Sequence, residues 1–330
     1  MVNMGKKILV ATIILAVPLL AGIVFGQTDL EGKDDGNKPL FRTETDLVSL
    51  DVTVTDQKGR PVADLAKEDF IVYEDGKQQS VAFFSHEQRP ASWGLVLDRS
   101  GSMAPMIEDV YKAALHSVES GTPEDEIFVM TFDTATELVH PFTSDRQELL
   151  RSISRLRAGG GTALYDAGAL ALDYMRDAKQ KKRVLVIVTD GEDNASSINF
   201  KKFLKMAQKS ETIIYTVGLF DPMDTPSFRA SSFGPNGFFG LGLSNPRKEL
   251  ERLADQTGGM AYFPKNLDEC IRAHRDIAFQ VSQQYSLGYY PRSNYEDERW
   301  RQIKVQVLRS KDLVVLSRRS YLPSKADKKD

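Results

Sequence analysis

The chain is poor in cysteine and has no concentration of one charge sign, and each of these shortages excludes a class of protein. Cys270 is the only cysteine among 330 residues, so neither an intramolecular disulfide nor a cysteine-rich zinc or iron–sulfur site can form. The net charge is -3 and the basic residues are scattered, which gives no electrostatic reason to expect nucleic acid as a partner. The fold must therefore be stabilised by packing.

Sequence motifs of the common enzymes are also missing. There is no Gly-x-Ser-x-Gly, no His-Glu-x-x-His, and the glycine run at 159–161 lacks the lysine of a phosphate-binding loop. The four histidines lie in unrelated contexts, and none is close in sequence to the polar loops described below: His86, His116, His140 and His274. We therefore interpret them as structural and expect a protein that is not an enzyme.

The amino terminus has the pattern of an export signal. Lys6 and Lys7 precede an apolar run from Ile8 to Phe25, and Gly26 ends it. About 18 apolar residues can also span a bilayer if the segment is not cleaved. We therefore predict a signal peptide or anchor over residues 1–26 and an exported protein that is periplasmic, envelope-associated or extracellular. Contact with a membrane is expected only through an uncleaved segment.

Both ends of the remaining chain alternate apolar and polar residues, which is typical of half-buried strands. After a polar linker at 27–40, this pattern covers residues 41–88, where Asp75-Gly76 indicates a hairpin turn, and it returns at residues 285–323 before a polar tail at 324–330. Either half alone would be a marginal sheet. We therefore predict that the two halves pair into one small antiparallel β-sandwich.

The middle segment, residues 89–284, alternates short apolar runs with amphipathic stretches. The runs Ser92–Leu97, Ile127–Phe132, Val184–Thr189 and Thr212–Leu219 are typical of strands covered on both faces. Such alternation predicts an α/β domain with a doubly wound, Rossmann-like and mostly parallel sheet, inserted in the sandwich. Sheets of this kind bind ligands beyond the carboxyl ends of their strands.

Three loops at those predicted strand ends carry oxygen-bearing side chains. The first has the pattern Asp-x-Ser-x-Ser, with Asp98, Ser100 and Ser102. In the second, three glycines precede Thr162, and in the third Asp190 follows a strand. Together the loops resemble the metal-ion-dependent adhesion site of von Willebrand factor A-type domains, within the subgroup of bacterial secreted proteins. The resemblance covers about 190 residues, and every position of that motif matches.

The resemblance implies that these five residues bind one divalent cation. Mg²⁺ is expected first, with Mn²⁺ or Ca²⁺ as alternatives, because hard cations prefer oxygen ligands. Asp98 and Asp190 are expected to act partly through water. In the family, an open coordination position receives an Asp or Glu of a protein partner. The sequence therefore predicts a cation-dependent adhesion or scaffold module of the cell envelope.

Other interpretations of the same residues stay open. Ser102 could cap the following helix, and Asp190-Gly191 could be a plain turn. The domain could be structural and bind no metal, or it could be a metal-assisted hydrolase. Asp133, at another strand end, could support the site from behind, although we favour a solvated turn.

A long connection from Phe220 to Pro246 follows the last predicted strand of this sheet. It combines aromatic residues with Gly, Pro and Ser, and loops of this length in compact domains are often functional. We predict that it lies at the rim of the site and contacts the partner, although the same side chains could instead pack beneath the loop. The aromatic residues in question are Phe228, Phe233, Phe238 and Phe239.

Overall fold

The structure is a computed structural model that describes residues 47–104, 107–119, 121–153, 157–220, 245–292 and 299–323. The predictions for residues 1–26, 27–40 and 324–330 lie outside this part of the chain, as do those for Phe228, Phe233, Phe238 and Phe239. None of the described helices is long and apolar enough to cross a bilayer.

The described residues form fourteen strands and six α-helices. The strands are β1 (Val48–Thr55), β2 (Phe70–Glu74), β3 (Lys77–Gln79), β4 (Val81–Ser85), β5 (Ala91–Asp98), β6 (Glu126–Phe132), β7 (Thr136–Thr143), β8 (Lys182–Thr189), β9 (Ile213–Gly218), β10 (Ala261–Tyr262), β11 (Tyr285–Tyr289), β12 (Arg301–Val307), β13 (Val314–Leu316) and β14 (Ser320–Tyr321). The helices are α1 (Ile107–Glu119), α2 (Arg146–Ile153), α3 (Leu164–Tyr174), α4 (Phe200–Lys209), α5 (Pro246–Thr257) and α6 (Leu267–Ser282).

The central sheet is built from the apolar runs of the middle segment. Its strand order is β10-β9-β8-β5-β6-β7, and all neighbours are parallel except the antiparallel pair β6 and β7. All eight residues of β5 are buried, as expected for an apolar run covered on both faces. Because β5 and β8 are adjacent and parallel, their carboxyl ends meet at one edge of the sheet.

Helices cover both faces of this sheet. Trp93, Leu95 and Leu97 of β5 pack in the layer that contains residues of α1, α2 and α6. Val96 points the other way, into the layer that contains residues of α3, α4 and α5. Burial of each large apolar side chain contributes roughly 1.5–3 kcal/mol, so the two layers hold β5 and its carboxyl end firmly in place.

The two ends of the described chain form a pair of antiparallel sheets. One has the order β13-β1-β11-β4 and the other β14-β12-β2-β3, so each combines strands from before and after the central domain. Asp75 and Gly76 form the turn between β2 and β3 with φ values of 47° and 78°, as the Asp-Gly pair predicts. The inner faces share one apolar core that includes Val52, Val72 and Tyr285. The predicted fold class is therefore confirmed.

Candidate metal centre

Asp98 is the deepest residue of the predicted site. It is the last residue of β5, is fully buried, and its Oδ1 and Oδ2 accept hydrogen bonds from the Ser100 amide (2.8 Å) and the Thr189 hydroxyl (2.6 Å). The Tyr111 hydroxyl donates to the Asp98 carbonyl at 2.9 Å and holds the strand end against α1. Burial raises the pKa of Asp98 to about 6, these side-chain and amide donors oppose the rise, and the nearby Asp190 carboxylate adds to it.

The hydroxyl groups of Ser100 and Ser102 lie between the buried Asp98 and the solvent-facing side of the site. The Ser100 and Ser102 hydroxyl oxygens lie 3.1 Å apart, and the Ser102 hydroxyl donates to Asp190 Oδ2. Ser100 is buried, Asp190 is partly buried and Ser102 is exposed. Four of the five predicted residues are therefore connected by hydrogen bonds, and the open side of the group faces solvent.

Thr162 is buried on the adjoining glycine loop, and the contacts recorded for it are made by its backbone. Its amide donates to Asn194 Oδ1 at 2.9 Å, and its carbonyl accepts from the amides of Asn194 (3.0 Å) and Ala195 (3.1 Å) on the third loop. The first loop meets the second where the Gly101 amide donates to the Gly160 carbonyl at 3.3 Å. All three predicted loops therefore contact one another.

Three supporting residues were missed from the sequence: Tyr111, Thr189 and Asn194. Each is an ordinary helix, strand or loop residue, and its role depends on which distant residue the fold places beside it. Thr189 offered one signal, because it ends a predicted strand as Asp98 does and carries a hydroxyl that can donate to a buried carboxylate. Asp133 lies in a turn, as expected, but its carboxylate is not solvated, because it lies 3.0 Å from Arg99 Nε and only 19% of its side chain is exposed.

The donor set fits a hard divalent cation. Asp98, Asp190, Ser100 and Ser102 bring carboxylate and hydroxyl oxygens together, and Thr162 on the adjoining loop carries a further hydroxyl. Among the described residues, neither Asp98 nor Asp190 forms an ion pair with a Lys, Arg or His side chain. Two acids that repel each other without a basic partner leave a negative site. In the described part of the chain, no group of three or more His, Cys, Asp or Glu side chains is placed to hold a metal, so the predicted site depends on hydroxyl oxygens beside its two carboxylates.

A family comparison agrees with this arrangement of loops. Residues 94–192 match the family model described as von Willebrand factor type A domain. This segment of the chain is therefore similar to von Willebrand factor type A domains, and the segment that contains it is called the A-type domain below. The matched range starts within β5, covers Ser100, Ser102 and Thr162, and ends just after Asp190.

Curated relatives are similar to part of this chain over part of their own length. A calcium-activated chloride channel regulator 3A-1 of Mus musculus is 28% identical over 205 residues, which is 58% of this chain and 20% of the relative. A protein of Borreliella burgdorferi is 26% identical over 157 residues, which is 46% of this chain and 45% of the relative. The chain thus spans less than half the length of these curated relatives.

Solved structures of similar fold include bacterial and animal A-type domains. A von Willebrand factor type A protein from Catenulispora acidiphila is 12% identical, with a TM-score of 0.46 over 86% of this chain and 76% of that one. The domain of the pilus tip protein Mfa5 from Porphyromonas gingivalis is also 12% identical, with a TM-score of 0.47 over 58% and 95%. A mussel byssus matrix protein described with a zinc-occupied site of this type is 14% identical, with a TM-score of 0.45 over 64% and 50%.

Proposed function

We propose that the A-type domain binds one divalent cation through Asp98, Ser100, Ser102, Thr162 and Asp190 and uses it to hold a carboxylate of a protein partner. The observation that carries this proposal is the contact between the first and third loops. The Ser102 hydroxyl bridges to Asp190 while Asp98 lies behind it, so two acids share a small solvent-facing site in which the described residues provide no basic partner. A bound cation would neutralise that charge.

The residue types suit Mg²⁺, with Mn²⁺ or Ca²⁺ as alternatives. Both Asp98 oxygens already accept a hydrogen bond, which favours a contact with the cation through water rather than a direct one. Ser100, Ser102 and Thr162 then contribute neutral hydroxyl groups. A cation held mainly by neutral ligands keeps enough charge to attract an Asp or Glu side chain of a partner.

The setting of this activity follows from the amino-terminal pattern, and we propose that the protein works outside the cytoplasm or in the cell envelope. The carboxylate-bearing partner is a protein, and the role is adhesion or scaffolding. A metal-assisted hydrolase is less well supported because His86, His140 and His274 make their contacts with Tyr285, Pro141 and Ser117, away from the site.

The decisive experiment is a calorimetric titration of the purified protein with Mg²⁺. Wild type should bind one ion, and Asp98→Asn should abolish binding because it removes a charge and disturbs the Ser100 and Thr189 contacts. Asp125→Asn is a matched control, since Asp125 is equally buried but lies at the amino end of the strands. A wild type that binds no Mg²⁺, Mn²⁺ or Ca²⁺ would favour the structural interpretation, and turnover of a hydrolysable substrate would favour the enzyme.

A further inference from the structure

The turn between β6 and β7 lies against two of the three loops of the metal centre. It runs from Asp133 to Ala135 and is closed by two hydrogen bonds, from the Asp133 amide to the Ala135 carbonyl (3.0 Å) and from the Ala135 amide to Asp133 Oδ1 (2.9 Å). Gly160 of the glycine loop packs directly on it. A Cβ atom at Gly160 would lie 2.8 Å from the Thr134 hydroxyl oxygen and 3.1 Å from Asp133 Cβ, so no side chain fits between them.

Arg99, the residue between Asp98 and Ser100, joins the first loop to this turn. Its Nε lies 3.0 Å from Asp133 Oδ2 and its Nη1 lies 2.9 Å from Glu137 Oε2. The side chains of Arg99 and Asp133 are only 20% and 19% exposed, whereas Glu137 is 57% exposed. The pair with Asp133 is therefore the less screened of the two.

The backbones of the same two residues anchor the loops that carry predicted ligands. The Arg99 amide donates to the Phe132 carbonyl at 2.8 Å, and the Arg99 carbonyl accepts from the Gly159 amide at 2.8 Å. The Asp133 carbonyl accepts from the Ala163 amide at 2.7 Å. Ser100 directly follows Arg99 and Thr162 directly precedes Ala163, so the residues anchored at this point flank two predicted ligands on different loops.

We propose that the Arg99–Asp133 ion pair is a positioning device that fixes the spacing between the first and second loops, and so between Ser100 and Thr162. Neither Arg99 nor Asp133 is a ligand in this proposal. The inference rests on the proposed cation binding. In this proposal the affinity for the cation also depends on Arg99 and Asp133, which are not among the five residues of the adhesion motif.

Coulomb's law alone makes the opposite prediction for one member of the pair. Arg99 is a positive charge one residue away from two predicted ligands, so its removal should strengthen the binding of a divalent cation if charge were all that mattered. Removal of a group that orients metal ligands typically weakens binding by about 10- to 100-fold. The direction of the change in Arg99→Met therefore separates the two effects.

The experiment measures Mg²⁺ affinity by calorimetry in wild type, Arg99→Met, Asp133→Asn and the double variant. Each single change should weaken Mg²⁺ binding by about 10-fold. The double variant should bind no more weakly than the single variant that binds least, because both changes remove the same interaction. Arg318→Met is the matched control. Arg318 is 13% exposed and pairs at 2.9 Å with Glu211, which lies before β9 at the opposite edge of the sheet, so its loss should leave the affinity unchanged.

A second measurement, amide hydrogen exchange in metal-free protein, shows whether the loops have loosened. The amides of residues 100–102 and 159–163 should exchange faster in Arg99→Met than in wild type, while those of the β5 and β8 strands stay protected. Arg99→Lys, which keeps the charge but not the planar fork, should be intermediate and serves as the test if Arg99→Met does not fold.

Arg99→Met protein that binds Mg²⁺ as tightly as wild type or more tightly would overturn the positioning role, as would additive losses in the double variant. Failure of the cation proposal itself is distinguishable, because in that case wild type would show no binding. The hydrogen exchange of the metal-free loops would then still decide whether the pair orders them.

Discussion

The two edges of the central sheet bury acidic residues in opposite ways. At the amino edge, Asp125 accepts hydrogen bonds from the Ala91 amide, the Trp93 indole and the Thr122 hydroxyl at 2.9, 3.0 and 2.7 Å. At the carboxyl edge, Asp98 accepts from Ser100 and Thr189 but faces a second acid, Asp190, and its pKa is raised to about 6 by burial and by that neighbour. Burial of a carboxylate therefore does not identify a site; what matters is whether the protein itself satisfies it.

Two other buried charged residues at the amino edge also have hydrogen-bond partners within the protein. Glu126 at the amino edge accepts from the Ser92 hydroxyl and the Lys179 amide, both at 2.6 Å, and the Lys182 ammonium donates to the Val281 carbonyl at 2.9 Å. Each of these charged groups has a hydrogen-bond partner within the protein, although burial still lowers the pKa of Lys182. The described acids of the amino edge are thus held by protein groups alone, whereas our proposal gives the acids of the carboxyl edge a cation as partner.

The largest expected effect is stabilisation by the cation at the carboxyl edge. With free Mg²⁺ at 100 times its dissociation constant, the free energy of unfolding of wild type should rise by about 2.7 kcal/mol, because the ion binds only the folded loops. Urea denaturation with and without Mg²⁺ measures this rise. It should persist in Asp125→Asn and vanish in Asp98→Asn, and an equal rise in both variants would show that the ion binds elsewhere.

Without metal, the same two substitutions should change stability in opposite directions. Asp98→Asn should raise the free energy of unfolding by about 1–2 kcal/mol at pH 7, since it removes a buried charge that its neighbours do not neutralise. Asp125→Asn should lower it by about 1–3 kcal/mol, because an amide has one acceptor oxygen for several buried donors. Urea denaturation of chelator-treated protein measures both free energies of unfolding. A loss of stability in both variants would show that the two edges do not differ in how they satisfy a buried carboxylate.

The amino edge should also show its own pH dependence. Burial lowers the pKa of Lys182 to about 8, despite the opposing attraction of Asp51. The unfolded chain then binds more protons than the folded one between about pH 8 and 10.5, so wild type should gain stability relative to Lys182→Met as the pH rises through that window. Below pH 8 the difference should be constant. Parallel pH profiles across the window would mean that the ammonium is better solvated than its position indicates.

The smallest effect is expected at Asn194, which touches the site only through the backbone of Thr162. Asn194→Ala removes the acceptor of the Thr162 amide but keeps both backbone bonds to the Thr162 carbonyl. We expect Mg²⁺ affinity to fall by about 3-fold, less than for a direct ligand. Calorimetry measures the affinity of both Asn194→Ala and the control Asn199→Ala, which removes a helix cap away from the loops. The loss at Asn194 is specific if Asn199→Ala binds Mg²⁺ as wild type does.

The sequence predicted the scaffold better than the supports of the site. Continuous apolar runs and the Asp-Gly turn marked the sheets, because strand periodicity and turn conformation are local properties. Asp98, Ser100, Ser102 and Asp190 were predicted from a motif, and hydrogen bonds connect them in the structure. Their assignment as ligands stays a prediction.

The supports could not be predicted because they depend on distant neighbours. Thr189 is 91 residues from Asp98 along the chain, and nothing in the local sequence states that β5 and β8 are adjacent. Asp133 has the local sequence of a turn acid, and only its packing beside Arg99 and Gly160 suggests the positioning role that we propose. The strand order of the sheet is therefore the information that the sequence pattern lacks.

The pairing of β1 with β11 has a mechanical consequence if the proposed partner binding puts the chain under load. Val52 pairs with Tyr285 and Val48 with Tyr289, so the end of β11 that adjoins the A-type domain is opposite the far end of β1. A pull between the A-type domain and the chain before Leu47 acts along both strands in opposite directions. The hydrogen bonds between β1 and β11 are then loaded in shear, so they must break together and not one after another.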